Sequence, residues 1–299
     1  MIAASELILR PDGSLYHLHL LPGQVADTII TVGDPERVAQ VSRRFDRVEL
    51  KVEAREFVTH TGELNGRRLT VISTGIGTDN VDIVINELDA LFNINLQRRE
   101  VREELTALTF LRLGTSGAFQ PDLPLDSFLL SRAALAADGL LPFYPATGVD
   151  SALSVALREH LLAHQQHLPV TPLIVRPQLP ALDWSAIEDL ATGITLTAAG
   201  FYAPQGRRLR LSTALQPALL EALRSFRHDD LRITNIEMET AGIYGLATAL
   251  GHRAASLSAL LANRAQGTFS RDPAGAVERL IELGLFLLAG DGVADAVDV

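Results

Sequence analysis

The chain has 299 residues, with 26 Lys+Arg against 36 Asp+Glu for a net charge of −10, and it contains no cysteine. The acidic balance argues against a nucleic-acid partner, since binders of a phosphate backbone carry a basic face. Absent cysteines exclude disulfides, thiolate nucleophiles, iron–sulfur clusters and Cys-ligated zinc. From the N-terminus, MIAASELILRPDG carries Glu6 and Arg10 and lacks the unbroken apolar core of a signal peptide. TIITVG (28–33) reads as a β-branched strand, and Asp34-Pro35 then opens a helix expected to run through Phe45. Residues 47–74 read as strands turning at Leu64-Asn65-Gly66, and 81–94 has apolar residues at helical spacing. FLRLGTSG (110–117) is an apolar strand expected to run into a glycine-bounded turn, followed by the strand DSFLLSRAAL and an amphipathic helix over 151–166. Strands near 171–176 and 193–199, a helix over 217–227 and the strand RITNIEM come next. The helix TAGIYGLATALG, the strand RAASLSALLANR and the helix PAGAVERLIELGLFLLAG complete the pattern.

Strand and helix alternate over the whole length, and no Gly/Ser linker, repeat or low-complexity tract divides it. The reading is an α/β fold, a single-domain three-layer αβα sandwich with a central mixed sheet covering 1–299. The longest uncharged stretch, 190–206, is broken by Thr, Gly, Gln and Pro, so the sequence predicts no membrane span and a soluble, cytoplasmic protein. Only Lys51 of the basic residues is a lysine, and it sits in RVELKVEAR without a glycine-rich loop, which disfavours P-loop and Schiff-base chemistry.

In such sheets, sites form where strands end at their carboxyl edge. A strand leading through Gly33 into a helix start presents free backbone N–H groups to an anion, and Arg37 lies one turn on. Gly114-Thr115-Ser116-Gly117 after Arg112 offers further donors, and Arg55 precedes a strand. Ordinary tight turns with surface arginines are the plainer reading of each piece alone. In Asn235-Ile236-Glu237-Met238-Glu239-Thr240 two carboxylates flank a methionine. The pair reads either as helix-start acids or as acceptors for sugar hydroxyls with Met against the ring. In FYAPQGR (201–207) an amide and a guanidinium match the edge of a flat heterocycle, with Phe201 against its face, unless the segment is merely a polar Pro/Gly loop. His160, His164 and His167 share a helix face, yet no carboxylate or Cys joins them on it, and they read as a solvated face.

In chain order, YHLHL, GDPERV, AREF, STGIG, LRLGTSGAFQ, FYAPQGR, NIEMETA and ANR resemble the nucleoside phosphorylase family of the hexameric, bacterial type, most nearly its uridine-phosphorylase branch. The resemblance spans about Tyr16 to Leu288. It implies that Gly33, Arg37, Arg112 and Thr115 bind phosphate, joined by Arg55 from a neighbouring subunit. It further implies that Met238 and Glu239 hold the ribose, with the neighbour's His17 at the 5′-hydroxyl. Phe201, Gln205 and Arg207 would bind the base, with Arg264 supporting Arg207. Arg112, Glu239 and Arg207 would carry the catalytic work of a pentosyltransferase releasing base and ribose 1-phosphate. Phosphate is then a co-substrate and no cofactor is implied. A monovalent cation at Glu56 is a further implication, and Asn80 departs from the family pattern beside it. The expected assembly is a homohexamer, a trimer of dimers with shared sites, serving pyrimidine nucleoside breakdown and salvage.

The chemistry suits the residues on its own terms. Glycosidic cleavage passes through an oxocarbenium-like state that phosphate and carboxylates near the ribose stabilise. A pyrimidine leaves with negative charge on its carbonyls, which Arg207 and Gln205 can meet by hydrogen bonding. Purine-specific relatives place an Asp near the Asn263-Arg264 position, and this strand exit has no acid, which favours pyrimidine. Purine phosphorolysis, nucleoside hydrolysis and a weakly catalytic nucleoside-binding paralogue are the alternatives, and the hydrolases lack the phosphate arginines.

Overall fold

The computed structural model describes residues 1–290. In chain order the elements are β1 (Thr28–Val32), α1 (Pro35–Ser42), β2 (Arg47–Ala54), β3 (Phe57–Leu64), β4 (Arg67–Ser73), α2 (Thr78–Asn93), the short β5 (Ile94–Asn95) and β6 (Glu100–Val101), β7 (Thr109–Ala118) and β8 (Phe128–Ala137). They continue with α3 (Ser151–Ala163), β9 (Leu173–Val175), β10 (Ala191–Ala198), α4 (Pro217–Ser225), β11 (Arg227–His228), β12 (Leu231–Glu237), α5 (Thr240–Ala249), β13 (Arg253–Asn263), β14 (Thr268–Phe269) and α6 (Pro273–Ala289). Twelve strands among the described residues form one mixed sheet, ordered β11-β12-β10-β8-β13-β7-β1-β4-β3-β2 with β9 and β14 attached at its flanks.

Local chemistry sets the element ends. Asp34 accepts the Glu36 N–H and Pro35 follows at the first helical turn, starting α1; the helix ends at Ser42 rather than Phe45. Asn65 and Gly66 both have positive φ, 50° and 71°, which makes the β3–β4 connection a two-residue hairpin turn of the primed type. Asp150 caps α3 through the Leu153 N–H, and α3 stops at Ala163, three residues before the expected end.

The topology carries one feature that the strand pattern leaves hidden. β12 pairs antiparallel with β7 through Asn235↔Ala118 and Ile236↔Gly117, so β7, β13, β8, β10 and β12 close on themselves. β7 therefore belongs both to this ring and to the open wing β1-β4-β3-β2. The GTSG segment, expected as a turn, lies inside β7 and pairs with β13 as far as Ala262. Its glycines serve close approach: a Cβ on Gly114 would meet the Arg112 guanidinium at 1.7 Å.

Helices cover both faces. One apolar core packs α2 and α5 with Leu15, Leu18 and Leu20 of the N-terminal segment against the sheet. A second packs α1 and α6 on β1, β7 and β13, and a third packs α3 and α4 on β8, β10 and β12. Parallel neighbours at the centre (β4-β1-β7-β13) bring Gly33, Thr74–Gly77 and the end of β7 to the same edge. No helix among the described residues is long and apolar enough to cross a membrane.

Candidate active site

At that edge lies a cavity of about 770 Å³. Of the residues singled out from sequence, its walls bring together Gly33, Arg37, Glu56, Arg112, Thr115, Phe201, Gln205, Arg207, Met238 and Glu239. Arg55, His17 and Arg264 lie outside this lining.

The buried Arg112 projects from β7 between the two carboxylates that end β12. Its Nη2 donates to Glu239 at 2.7 Å and lies 3.1 Å from Glu237. Its Nη1 is buried without a partner and stands over Gly114. Arg37 reaches the same region from α1 and donates to the Leu113 carbonyl at 3.2 Å. Burial, and then the neighbouring Arg112, hold the Arg37 guanidinium below the usual arginine range. Two guanidiniums, one carrying an unused donor, beside the start of α1 form a pocket that a dianion would relieve.

Glu237 organises the carboxylate end. Its two oxygens accept the backbone N–H of Glu239 (2.9 Å), the N–H of Thr240 and the Thr197 hydroxyl (2.7 Å). This fixes the start of α5 and turns Glu239 into the cavity. Glu239 also accepts the Gly77 N–H at 2.8 Å, so the strand exit of β4 and the exit of β12 are tied together. Burial is the main influence on the Glu239 carboxyl and, with Glu237 alongside, it outweighs Arg112 and raises the pKa above the ordinary value. Met238 stands half-buried between the two acids.

The far end is built from the loop after β10 and the exit of β13. Gln205 is buried, and Arg207 donates to its side-chain oxygen and, at 2.8 Å, to the Phe201 carbonyl. The Arg207 guanidinium lies 3.8 Å above the Phe201 ring, so one face of the ring expected to meet a base is covered by the arginine of the same loop. Arg264 donates to the Gln205 carbonyl rather than to Arg207, and holds the loop by its backbone. Burial, then Arg207 and Arg224, push the Arg264 guanidinium down to about 10. Gly206 has φ 74°, and a Cβ there would meet Leu220 at 2.8 Å.

His17 and Arg55 form a separate cluster. Arg55, with φ 58° in the exposed β2–β3 turn, lies 5.6 Å from the Tyr16 ring centroid, and Tyr16 packs edge-on against His17 at 4.9 Å. The adjacent Glu56 sits against Gly75 near Asn80. His160 packs on Phe226 and meets Ala222 and Ser225 of α4, a helix contact rather than an open face. Among the described residues no cluster of three His, Asp or Glu could hold a metal ion.

Sequence reasoning missed the linking roles of Gly77, Thr197 and Gly114 and the anchoring role of Glu237. The apolar lining by Ile236, Leu261, Ala262 and Phe269 was also missed. The paired acids around Met238 were the available signal for Glu237. Gly77 acts through its backbone N–H, Gly114 through space left open and Thr197 through a buried hydroxyl, roles that residue type alone does not announce.

Comparison with known proteins places this geometry. Residues 27–282 match the phosphorylase superfamily. A uridine phosphorylase of Thermococcus kodakarensis is 31% identical over 266 residues, covering 87% of this chain and 81% of that protein. One from Haemophilus influenzae is 26% identical over 254 residues, covering 84% and 87%. A solved Trypanosoma brucei nucleoside phosphorylase, described as showing uridine phosphorylase activity, superposes with a TM-score of 0.81 at 27% identity, covering 95% of this chain and all of that one. With the profile spanning most of the chain, an α/β sheet of the same design and a cavity at the shared strand edge, the protein belongs to the phosphorylase superfamily.

Proposed function

We propose that the protein catalyses phosphorolysis of uridine to uracil and ribose 1-phosphate. The observation that carries this reading is the unpartnered, buried Nη1 of Arg112. It is a charged donor held open inside a cavity whose other walls offer carboxylates for a sugar and an amide–guanidinium pair for a base. The similarity to uridine phosphorylases supports the same activity.

In this scheme phosphate lies on Gly33, Arg37, Arg112 and Thr115, and one of its oxygens bonds to C1′ as the C1′–N1 bond breaks. Positive charge on the ribose is stabilised by the anion and by Glu239, which also takes the ribose hydroxyls with Met238 on the ring. The bonding pair leaves with uracil, whose carbonyls are held by Arg207 and Gln205, and the base then takes a proton from water. Stacking of the base on the Phe201 face that Arg207 covers requires Arg207 to move to the base edge. With Arg207 and Arg264 at that end and no carboxylate among them, a pyrimidine anion is favoured over a purine that needs an acid.

Arg55 and His17 are proposed to serve the site of a second copy, which makes a dimer the minimal active unit and a hexamer of three dimers the assembly. A monovalent cation at Glu56 belongs to the same proposal. One exposed carboxylate does not complete a cation's oxygen shell, so the remaining ligands would come from the second copy. The reading places the enzyme in the cytoplasm, in pyrimidine nucleoside breakdown and salvage. Ultraviolet absorbance of uridine incubated with the protein, with and without phosphate, tests the activity. Turnover only with phosphate supports it, turnover without phosphate indicates a hydrolase, and binding without turnover a sensor.

A further inference from the structure

The N-terminal segment is anchored by an acid that the scheme above does not use. Leu15, Leu18 and Leu20 are buried in the core, while between them Tyr16 is exposed beside Arg55 and His17 is half-buried. Under this turn lies Glu87, on α2. Its carboxylate accepts the Leu18 N–H at 2.9 Å and the His17 N–H at 3.2 Å, and its Oε1 lies 2.6 Å from His17 Nδ1. Three donors from two successive residues thus converge on one carboxylate, whose side chain is only 16% exposed.

We infer that Glu87 is a positioning residue that orients His17 for hydrogen bonding to the ribose 5′-hydroxyl in the neighbouring subunit's site; this rests on the shared-site reading proposed above. A carboxylate can only accept, so Nδ1 must be the protonated nitrogen of the ring. In the neutral imidazole Nε2 is then the acceptor, and it points away from α2. A hydroxyl donor arriving there meets a lone pair rather than an N–H. The backbone bonds to His17 and Leu18 also set where the ring begins, so ring direction and ring tautomer have one origin. Tyr16, edge-on to the ring at 4.9 Å, blocks its rotation on one side.

Glu87→Gln tests this, because the amide is isosteric but brings an N–H₂ into a position ringed by donors. The comparison uses uridine and 5′-deoxyuridine, which lacks the hydroxyl, in the wild type, Glu87→Gln, His17→Ala and the double variant, with sedimentation confirming unchanged assembly. We expect Glu87→Gln to raise KM for uridine on the order of tenfold with a smaller change in kcat, the scale of one lost hydrogen bond. KM for 5′-deoxyuridine should stay unchanged, and the double variant should lose no more than His17→Ala alone. Equal losses on both substrates in Glu87→Gln, while His17→Ala still separates them, overturn the positioning role and leave the shared site standing. If His17→Ala fails to separate the two nucleosides, the shared-site reading falls and the inference with it. Should Glu87→Gln disturb assembly, Glu87→Asp, which keeps the charge and shortens the reach, is read by the same two-substrate ratio. A ratio unchanged from wild type in an assembled Glu87→Asp enzyme also overturns the inference.

Discussion

The guanidinium of Arg112 lies across Gly114, with Nη1 occupying space within 1.7 Å of where a Cβ would stand. Two residues apart on one strand, they point to the same face, and the shorter makes room for the longer. Gly114→Ala should therefore displace Arg112 rather than unfold β7. We expect a fall in kcat/KM on the order of 100-fold, as for a misplacement of about 1 Å at the reacting centre. The overpacking itself should cost about 1–3 kcal/mol of stability. Steady-state kinetics with phosphate varied, beside urea denaturation, separates the two effects. Wild-type phosphate KM in Gly114→Ala would refute the steric argument.

The raised Glu239 carboxyl has a kinetic consequence. The ionised form is the one that stabilises an oxocarbenium ion, so activity is lost as pH falls through the raised pKa. The acid limb of the kcat/KM profile should thus lie above the ordinary glutamate value of 4.5. Glu237→Gln removes one of the influences that raise it and should move the limb to lower pH. A limb unmoved in that variant would show that Glu239 does not govern it.

Arg207 should act on turnover. An interaction that tightens as negative charge develops on the leaving base appears in kcat as well as in KM. Arg207→Ala should lower kcat/KM on the order of 100-fold or more, the scale of one preorganised anion-stabilising donor. Lys at this position should rescue poorly, because it lacks the planar fork. Phosphate KM should barely change. Loss of phosphate binding with near-normal uridine turnover would assign this loop to the wrong end of the cavity.

Arg55 and Arg112 are predicted to serve one site from different chains. Arg55→Ala and Arg112→Ala homo-oligomers should each be strongly impaired. Mixing them after mild dissociation should restore part of the activity through sites that receive both arginines. No recovery on mixing, with subunit exchange verified by mass spectrometry, would count against the shared site.

Asp150 offers a stability test away from the cavity. It caps α3 through Leu153 and pairs with Arg176 at 2.6 Å. Burial alone would raise its pKa, but the Leu153 N–H and Arg176 prevail and the net shift is downward. A depressed folded pKa contributes stability above the unfolded value, which is lost as pH falls through the folded one. Asp150→Ala should cost about 1 kcal/mol at pH 7, as for a lost N-cap. The difference from wild type in chemical denaturation should shrink as pH falls below the ordinary aspartate value of 3.8. A penalty constant with pH would mean that the charge plays no part.

The elements themselves were legible because their signals are local. β1 and α1 are announced by TIITV followed by Asp34-Pro35, and the β3–β4 turn by Asn65-Gly66. The strand-edge segments that met in the cavity could be picked out because polar residues there interrupt apolar runs. What could not be read depends on distant partners. The closure of β12 onto β7 joins residues more than a hundred positions apart, and it turns GTSG from an apparent loop into a paired strand. The cover of Arg207 on Phe201 and the Gly77–Glu239 tie depend on the folded loops, where composition is silent.

The double membership of β7 has a consequence for how such an enzyme diversifies. Gly33, Arg112, Thr115, Met238 and Glu239, proposed to grip phosphate and ribose, lie in or just after β1, β7 and β12, where strands pair on both sides and movement is least tolerated. Arg37 enters from α1, and Arg55 and His17 are proposed to come from a second copy. Those proposed to grip the base hang on the 201–207 loop, which is tied through the Gln205 carbonyl that Arg264 holds and the Ala203 carbonyl that Thr213 holds. A carbonyl is supplied by any residue, so the loop can change its side chains while keeping its tether. The proposed sugar-phosphate half is thus a fixed chassis, and the proposed nucleobase half an exchangeable fitting that substitution around Arg207 can retune.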